Sequence, residues 1–277
     1  MSLNITSEDR QNLAKTSKLG LLATISPMGE PHISLISSMQ TLEEQLIWGE
    51  FVHGLSKINL KTNPKCGFLV INAEKQWWKG KALHKEVRET GPEYEMFNNQ
   101  PLFRYNSYFG IGKVHYMDIM EFSGKQSLPL GEIVTGWLSG LAVKGLAKGC
   151  PDGIDKIGGL SVSLAKNPMA PKFLSYVGED GYPEMIPVVQ SVLKDKGRLL
   201  IPHTAYKSEL EKIKAGTKAA MFLVDLDLTS VLFQGVYAGK EKKMGVTYGI
   251  FDIEKVYNSM VPVPGYIYPM REYQIVH

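Results

Sequence analysis

The stretch LLATISPMGEPHISLISSMQ, residues 21–40, reads as an apolar strand, a tight turn through Gly29, a proline at position 31 and a second strand. The stretch FLSYVGEDGYPEMIPVVQ, residues 173–190, has the same form, and its Gly181 and Pro183 each stand 152 positions after Gly29 and Pro31. A chain that carries one hairpin twice is constrained to fold as one repeated unit or as two unrelated units that share a turn. The order of the neighbouring elements decides between these.

After the first hairpin come a short strand QLIWGE, a helical pattern GLSKINLKTN ending at Asn63-Pro64, and the strands KCGFLVIN, QWWKGKALHKEV and GKVHYMDIMEF. After the second come RLLIPH, the helical pattern KSELEKIKAG, and the strands KAAMFLVD, SVLFQGVYAG and GVTYGIFDIEKVY. Lys207 follows Lys57 by 150 positions and Gly235 follows Gly80 by 155, a drift of the kind that loop insertions leave in a duplicated unit. The sequence therefore predicts a mainly β protein with short helices. Each half forms a small antiparallel β-barrel, and the two halves are related by a rough twofold axis. The expected divisions are unit 1 over 1–122, a partly helical connector over 123–165, and unit 2 over 166–277. In the first unit, residues 32–40 are expected to form one strand.

A chain of 277 residues, 44% hydrophobic and 21% charged, can pack two cores of this size. Its net charge of +3 is spread without basic clusters, which gives no footprint for a nucleic acid. Two cysteines, Cys66 and Cys150, form neither a disulfide framework nor a metal-ligand spacing. The polar start MSLNITSEDRQNLAK and the lack of any apolar run near ~20 residues predict a soluble cytoplasmic protein without a membrane role.

Chemistry is concentrated in WGEFVHGLSKINLKTNP. Ser56 and Lys57 at a helix start, after a strand and a glycine, can form an anion site, because first-turn N–H groups lack helix partners and the dipole favours negative charge. The same two residues also read as a plain cap and a solvated lysine. Three of the four tryptophans, Trp48, Trp77 and Trp78, fall on strands of the first unit. Adjacent Trp77 and Trp78 must face opposite sides of their strand, so one fills the interior and the other covers a helix, a partner or a planar ligand. The six histidines show no zinc spacing, and no metal is expected. Neither a nucleophile elbow nor a Walker loop is present, and YFGIGKV precedes a strand, unlike a dinucleotide fingerprint.

Taken in order, LGLLATISPMGEPHISLIS, LIWGE, LSKINLKTNPKCGFLV and WWKGKA resemble the pyridoxamine 5′-phosphate oxidase-like family of FMN-binding split β-barrels. The likeness spans residues 19–122 and, with weaker motifs, 171–270. It implies FMN in a groove between two barrels. Ser56 and Lys57 would hold its phosphate, and Ser34, Ile36, Ser37 and Ser38 would line it from the second strand. Trp48 and Gly49 would flank it, and Gln76, Trp77 and Trp78 would approach from the fifth strand. Family members form homodimers, an arrangement that two units in one chain, or a homo-oligomer, would reproduce. The resemblance implies an oxidoreductase that passes electrons to a small molecule or protein partner. A deazaflavin-dependent reductase and a non-catalytic binder of flavin or haem are the alternatives. The true oxidases keep an arginine and a lysine on the second strand, where this chain has Ser34 and Met39, and YIYPMREYQIVH lacks their C-terminal signature. Vitamin B6 phosphate is therefore not the expected substrate.

Overall fold

The computed structural model describes residues 3, 5–15, 17–51, 54–99, 111–259 and 265–269. The first three residues of YFGIGKV and the C-terminal residues 270–277 lie outside this set. Contacts divide the chain into two units. Unit 1 comprises Met1–Pro27, Ser34–Leu128 and Gly178–Pro183, and unit 2 comprises Met28–Ile33, Pro129–Val177 and Glu184–His277.

The first sheet is built from β1 (Lys18–Ile25), β2 (Pro31–Leu35), β3 (Gln40–Leu42), β4 (Gln45–Glu50), β5 (Lys65–Asn72), β6 (Gln76–Arg88), β7 (Lys113–Phe122) and β8 (Gln126–Ser127). The second is built from β9 (Lys172–Val177), β10 (Pro183–Pro187), β11 (Val192–Asp195), β12 (Arg198–Pro202), β13 (Thr217–Val224), β14 (Ser230–Lys243), β15 (Val246–Asn258) and β16 (Gly265–Tyr268). The strand orders are β2-β1-β5-β6-β7-β4-β3 and β10-β9-β13-β14-β15-β12-β11, one pattern used twice. The fold is mainly β, in two units of split-barrel type, as the repeated hairpin requires. Each sheet has eight strands and stays open along this path, so neither is a closed barrel.

The matched glycines explain why the pattern repeats. Gly29 and Gly181 both turn their hairpins with positive φ, 73° and 78°, which a side chain disfavours. A Cβ on Gly80 would collide with the Glu121 carbonyl, and one on Gly235 with the Asp252 carbonyl, so both positions require the close backbone approach that only glycine permits.

Alternation along the strands fills two cores. Cys66, Phe68 and Val70 of β5 join Leu22, Trp48, Trp78 and Met117 inside unit 1. Ala219, Met221 and Leu223 of β13 join Leu174, Phe233 and Phe251 inside unit 2. The outer faces are covered differently. In unit 1, α3 (Pro92–Asn99) brings Phe97 onto Ile47, Val114 and Tyr116. In unit 2, α4 (Leu130–Lys144) lays Val143 against Val192, Leu200, Tyr248 and Ile250. Gly136 and Gly140 of α4 sit where a Cβ would crowd Thr204 and Gln190, and Pro202 and Val192, respectively. The Pro129–Val177 segment of unit 2 thus carries α4 and α5 (Gly159–Lys166).

Two local expectations change. The expected strand over 32–40 breaks after Leu35 into a turn closed by the Met39 N–H donating to the Ile36 carbonyl (3.2 Å), before β3 begins. The Ile36 N–H donates to the Gly20 carbonyl (2.7 Å), and a Cβ on Gly20 would meet the Ile36 carbonyl at 2.5 Å, so the turn is pinned against β1. In unit 2 the helical pattern KSELEKIKAG yields only α6 (Lys207–Leu210), entered through Tyr206 at a left-handed φ of 56°. No helix among the described residues is long and apolar enough to cross a membrane.

Candidate anion and cofactor site

The site in unit 1 is assembled from the end of β4, the helix after it, and the strands that β4 reaches through β7. Helix α2 (Leu55–Thr62) starts at Gly54 (φ −128°, ψ 178°), which has no side chain with which to cap the first turn. Its first turn carries no acid, Ser56 is buried, and the Lys57 N–H donates to the Gly54 carbonyl at 3.1 Å. An uncapped helix start with a buried hydroxyl and a lysine presents donors and positive potential to an anion.

Lys57 is half-buried, and its Nζ lies 5.4 Å from the centre of the Trp48 ring. Burial pushes its ammonium below the usual lysine range, and the charge of Glu50 opposes that shift. Trp48 is fully buried, and its indole Nε1 has no hydrogen-bond partner among the described residues. A buried donor without a partner is costly, which marks the surroundings of this ring as a place where a polar group would be stabilised.

Trp48 of β4 faces His115 of β7 directly in the ladder, and the two rings stack at 3.8 Å with 4° between their planes. His115 Nε2 lies 2.9 Å from Glu50 Oε2, and its Nδ1 lies 3.1 Å from Nε2 of His84 on β6. Glu50, His115 and His84 therefore form one hydrogen-bonded chain across three neighbouring strands. Burial lowers the His115 pKa, against the raising effect of Glu50. Burial, with the neighbouring His115, lowers His84 to about 4. A bulge between His84 and Glu86 shifts the β6–β7 register and sets His84 beside His115, although the ladder pairs His115 with Val87.

The residues singled out from sequence divide into two groups. Ser38, Trp48, Gly49, Ser56 and Lys57 come together. The Ser38 hydroxyl donates to the Gly49 carbonyl (2.9 Å) and accepts from the Gly49 N–H (3.1 Å), which clamps the turn to β4. Ser34 is half-buried on β2, Ile36 is buried in the unit 1 core, and Ser37 is exposed. Gln76, Trp77 and Trp78 begin β6, whereas the partner of His115 stands near its other end. Gln76 is tied to Asn72 by bonds of 2.9 and 3.0 Å. Trp78 lies in the core and donates from Nε1 to Asp9 Oδ1 (2.8 Å), while Trp77 is buried on the other face. Asp9 itself closes the first turn of α1 (Ser7–Ala14) in a capping box with Thr6. Sequence reasoning missed Glu50, His84 and His115 as a group. Their spacings follow no motif, and only the pairing of β4 and β6 with β7 brings them together.

The equivalent region of unit 2 is built from the same elements with other residues. Gln190, in the turn equivalent to that of Ser38, donates to the carbonyls of Pro202 (3.1 Å) and Ala205 (3.3 Å). His203 Nε2 lies 3.2 Å from the Tyr237 hydroxyl, and burial lowers His203 to about 4. The Lys207 side chain is 65% exposed and stands 4.0 Å from Glu211, so unit 2 lacks a half-buried lysine like that of unit 1.

The strand order and the hairpin-to-helix plan define a protein built on the split β-barrel. Among solved structures, the chain is similar to HupZ from Group A Streptococcus, with 20% identity over 43% of this chain and 91% of that one (TM-score 0.36). It is also similar to an FMN-binding protein from Syntrophomonas wolfei subsp. wolfei, with 19% identity over 43% and 84% (TM-score 0.35), and to an F420 reductase, with 20% identity over 43% and 98% (TM-score 0.34). No protein-family model and no curated protein matches the chain.

Proposed function

We propose that unit 1 binds FMN, with its phosphate at the start of α2 on Ser56 and Lys57, and that the chain is a flavin-dependent oxidoreductase other than the vitamin B6 oxidase. The observation that carries this reading is the α2 start itself: no side-chain cap, no acid in the first turn, a buried serine, and Lys57 held over Trp48. These groups fit a phosphomonoester, which needs several N–H and O–H donors and a cation. The Nε1 of Trp48, the ring beneath Lys57, is buried and without a partner among the described residues. The order of sequence motifs that resembles the FMN-binding family supports the choice of FMN among phosphate-bearing ligands.

Bound FMN would supply two-electron redox chemistry, and the protein would bind it and set its surroundings. Lys57 would neutralise phosphate charge, Ser56 would donate a hydrogen bond, and Ser38 would hold the Gly49 backbone in place beside them. His115 is poorly suited to ligate haem iron, because Glu50 and His84 already take both of its ring nitrogens. The test is an absorption spectrum of the purified protein, followed by FMN titration of the cofactor-free form. Saturable FMN binding that Lys57→Ala weakens supports the reading, and equal binding to both proteins overturns the placement.

A further inference from the structure

Lys57 supplies one positive charge at the start of α2, and the nearby Glu50 carboxylate favours its charged form while offsetting its field. Ser34 of β2 carries no charge, and Met39 is fully buried in the core. The groups that face His115 are Glu50 and Trp48 from β4, Lys57 from α2, His84 from β6 and Lys113 on its own strand. Lys113 is exposed and engaged 2.8 Å from Glu89.

We propose that the Glu50–His115–His84 chain is the switchable charge of this seat, passing from negative to neutral, and that binding a phosphate dianion at Ser56 and Lys57 is coupled to uptake of one proton by the histidine pair. The inference rests on the FMN reading above and adds to it a residue set and a linkage. The hydrogen bonds dictate how the charge appears. Glu50 accepts from His115 Nε2–H, so a neutral His115 has Nδ1 free to accept from His84 Nε2–H. A proton arriving from water at Nδ1 of the half-buried His84 lets the proton on its Nε2 pass to His115 Nδ1. The positive charge then sits on His115, against Glu50 and the Trp48 face, and no side chain moves.

Without the anion, burial and the mutual repulsion of two imidazoles keep the pair neutral, with His84 titrating at about 4. A dianion beside Lys57 raises the proton affinity of the pair. By linkage, proton uptake and anion affinity change together. Between the free and bound titration points, affinity should rise about tenfold for each pH unit of acidification. FMN's own phosphate titrates at about pH 6, and binding its dianion above that pH gives no uptake of its own.

The test is calorimetry of FMN binding to the cofactor-free full chain at neutral pH, in two buffers of different ionisation enthalpy, which counts protons. We expect net proton uptake by the wild type, none when riboflavin replaces FMN, and none when FMN binds His84→Gln. Glu50→Gln provides a second variant with the same expected loss of uptake. FMN binding without proton uptake in the wild type, or equal uptake in the wild type and the variants, overturns the inference while leaving FMN binding intact. Failure of both FMN and riboflavin to bind overturns the flavin reading and the inference with it.

Discussion

The Trp48 indole and the His115 imidazole lie parallel, 3.8 Å apart, across a directly paired position of β4 and β7. This stack joins the two parts of the site: Lys57 stands over the same indole, and Glu50 and His84 bond the same imidazole. Trp48 therefore serves the core and the site at once.

Trp48→Ala should cost about 3–5 kcal/mol of stability, because it leaves a cavity in a fully packed core. Trp48→Phe should cost less and retain the stack on His115. Urea unfolding of the two variants beside the wild type measures both. A change within about 0.5 kcal/mol for Trp48→Ala would show that the ring is not a core element.

Lys57→Ala should weaken FMN binding about ten- to a hundredfold, the range of a charge-assisted hydrogen bond. Lys207→Ala should have little effect, because that side chain is largely exposed at the start of a helix of four residues. Fluorescence titration separates the two. Equal losses would place a second anion seat in unit 2.

One FMN is expected per chain. Unit 2 has the same strand order, but α4 seats Gly136 against Gln190 and Thr204 beside the β12 end, and α6 starts from a strained Tyr206. Counting released FMN against protein after denaturation gives the ratio. Two per chain would show that unit 2 keeps a working site.

Stability should fall as the pH is lowered from about 6.5 towards 4. His84 and His203 titrate at about 4 in the folded chain, below their unfolded value, so the unfolded chain binds more protons in that window. The stabilisation is present above the unfolded pKa and is lost as the pH falls through the window. Thermal melts of the wild type, His84→Gln and His203→Gln across this range test it. Parallel curves for all three proteins would remove both histidines as the cause.

Pyridoxamine 5′-phosphate should not be oxidised at a useful rate. Ser34 carries no charge and Met39 is buried in the core, so neither can neutralise a second phosphate, and burying one unpaired is costly. Reduction of bound flavin by NADH or NADPH should be measurable by bleaching of its visible absorption. Rapid formation of pyridoxal 5′-phosphate without reduction by either nicotinamide would reverse the assignment.

Much of the fold was legible along the chain, because its signals are local. Gly29 and Gly181 mark turns that need positive φ and can be recognised with their neighbours alone, whereas the close approaches at Gly80 and Gly235 are to the Glu121 and Asp252 carbonyls of other strands. The α2 start was legible for the same reason, since Gly54, Ser56 and Lys57 are contiguous with the helix they begin. The break after Leu35 was hidden, because it depends on the approach of Ile36 to Gly20, and alternation along residues 32–40 carries no trace of that contact. Helical spacing in KSELEKIKAG likewise overstated α6: it is entered through the left-handed Tyr206, and past Leu210 the Lys212 and Ile213 N–H groups bond three residues back, to Glu209 and Leu210. The Glu50–His115–His84 chain belongs wholly to the tertiary structure. Strand order places β4 and β6 on either side of β7, and a bulge in β6 sets the register, so three residues with no sequence relationship share hydrogen bonds. Local backbone demands can be read from a residue and its neighbours, whereas a hydrogen bond between distant strands exists only once their order and register are set.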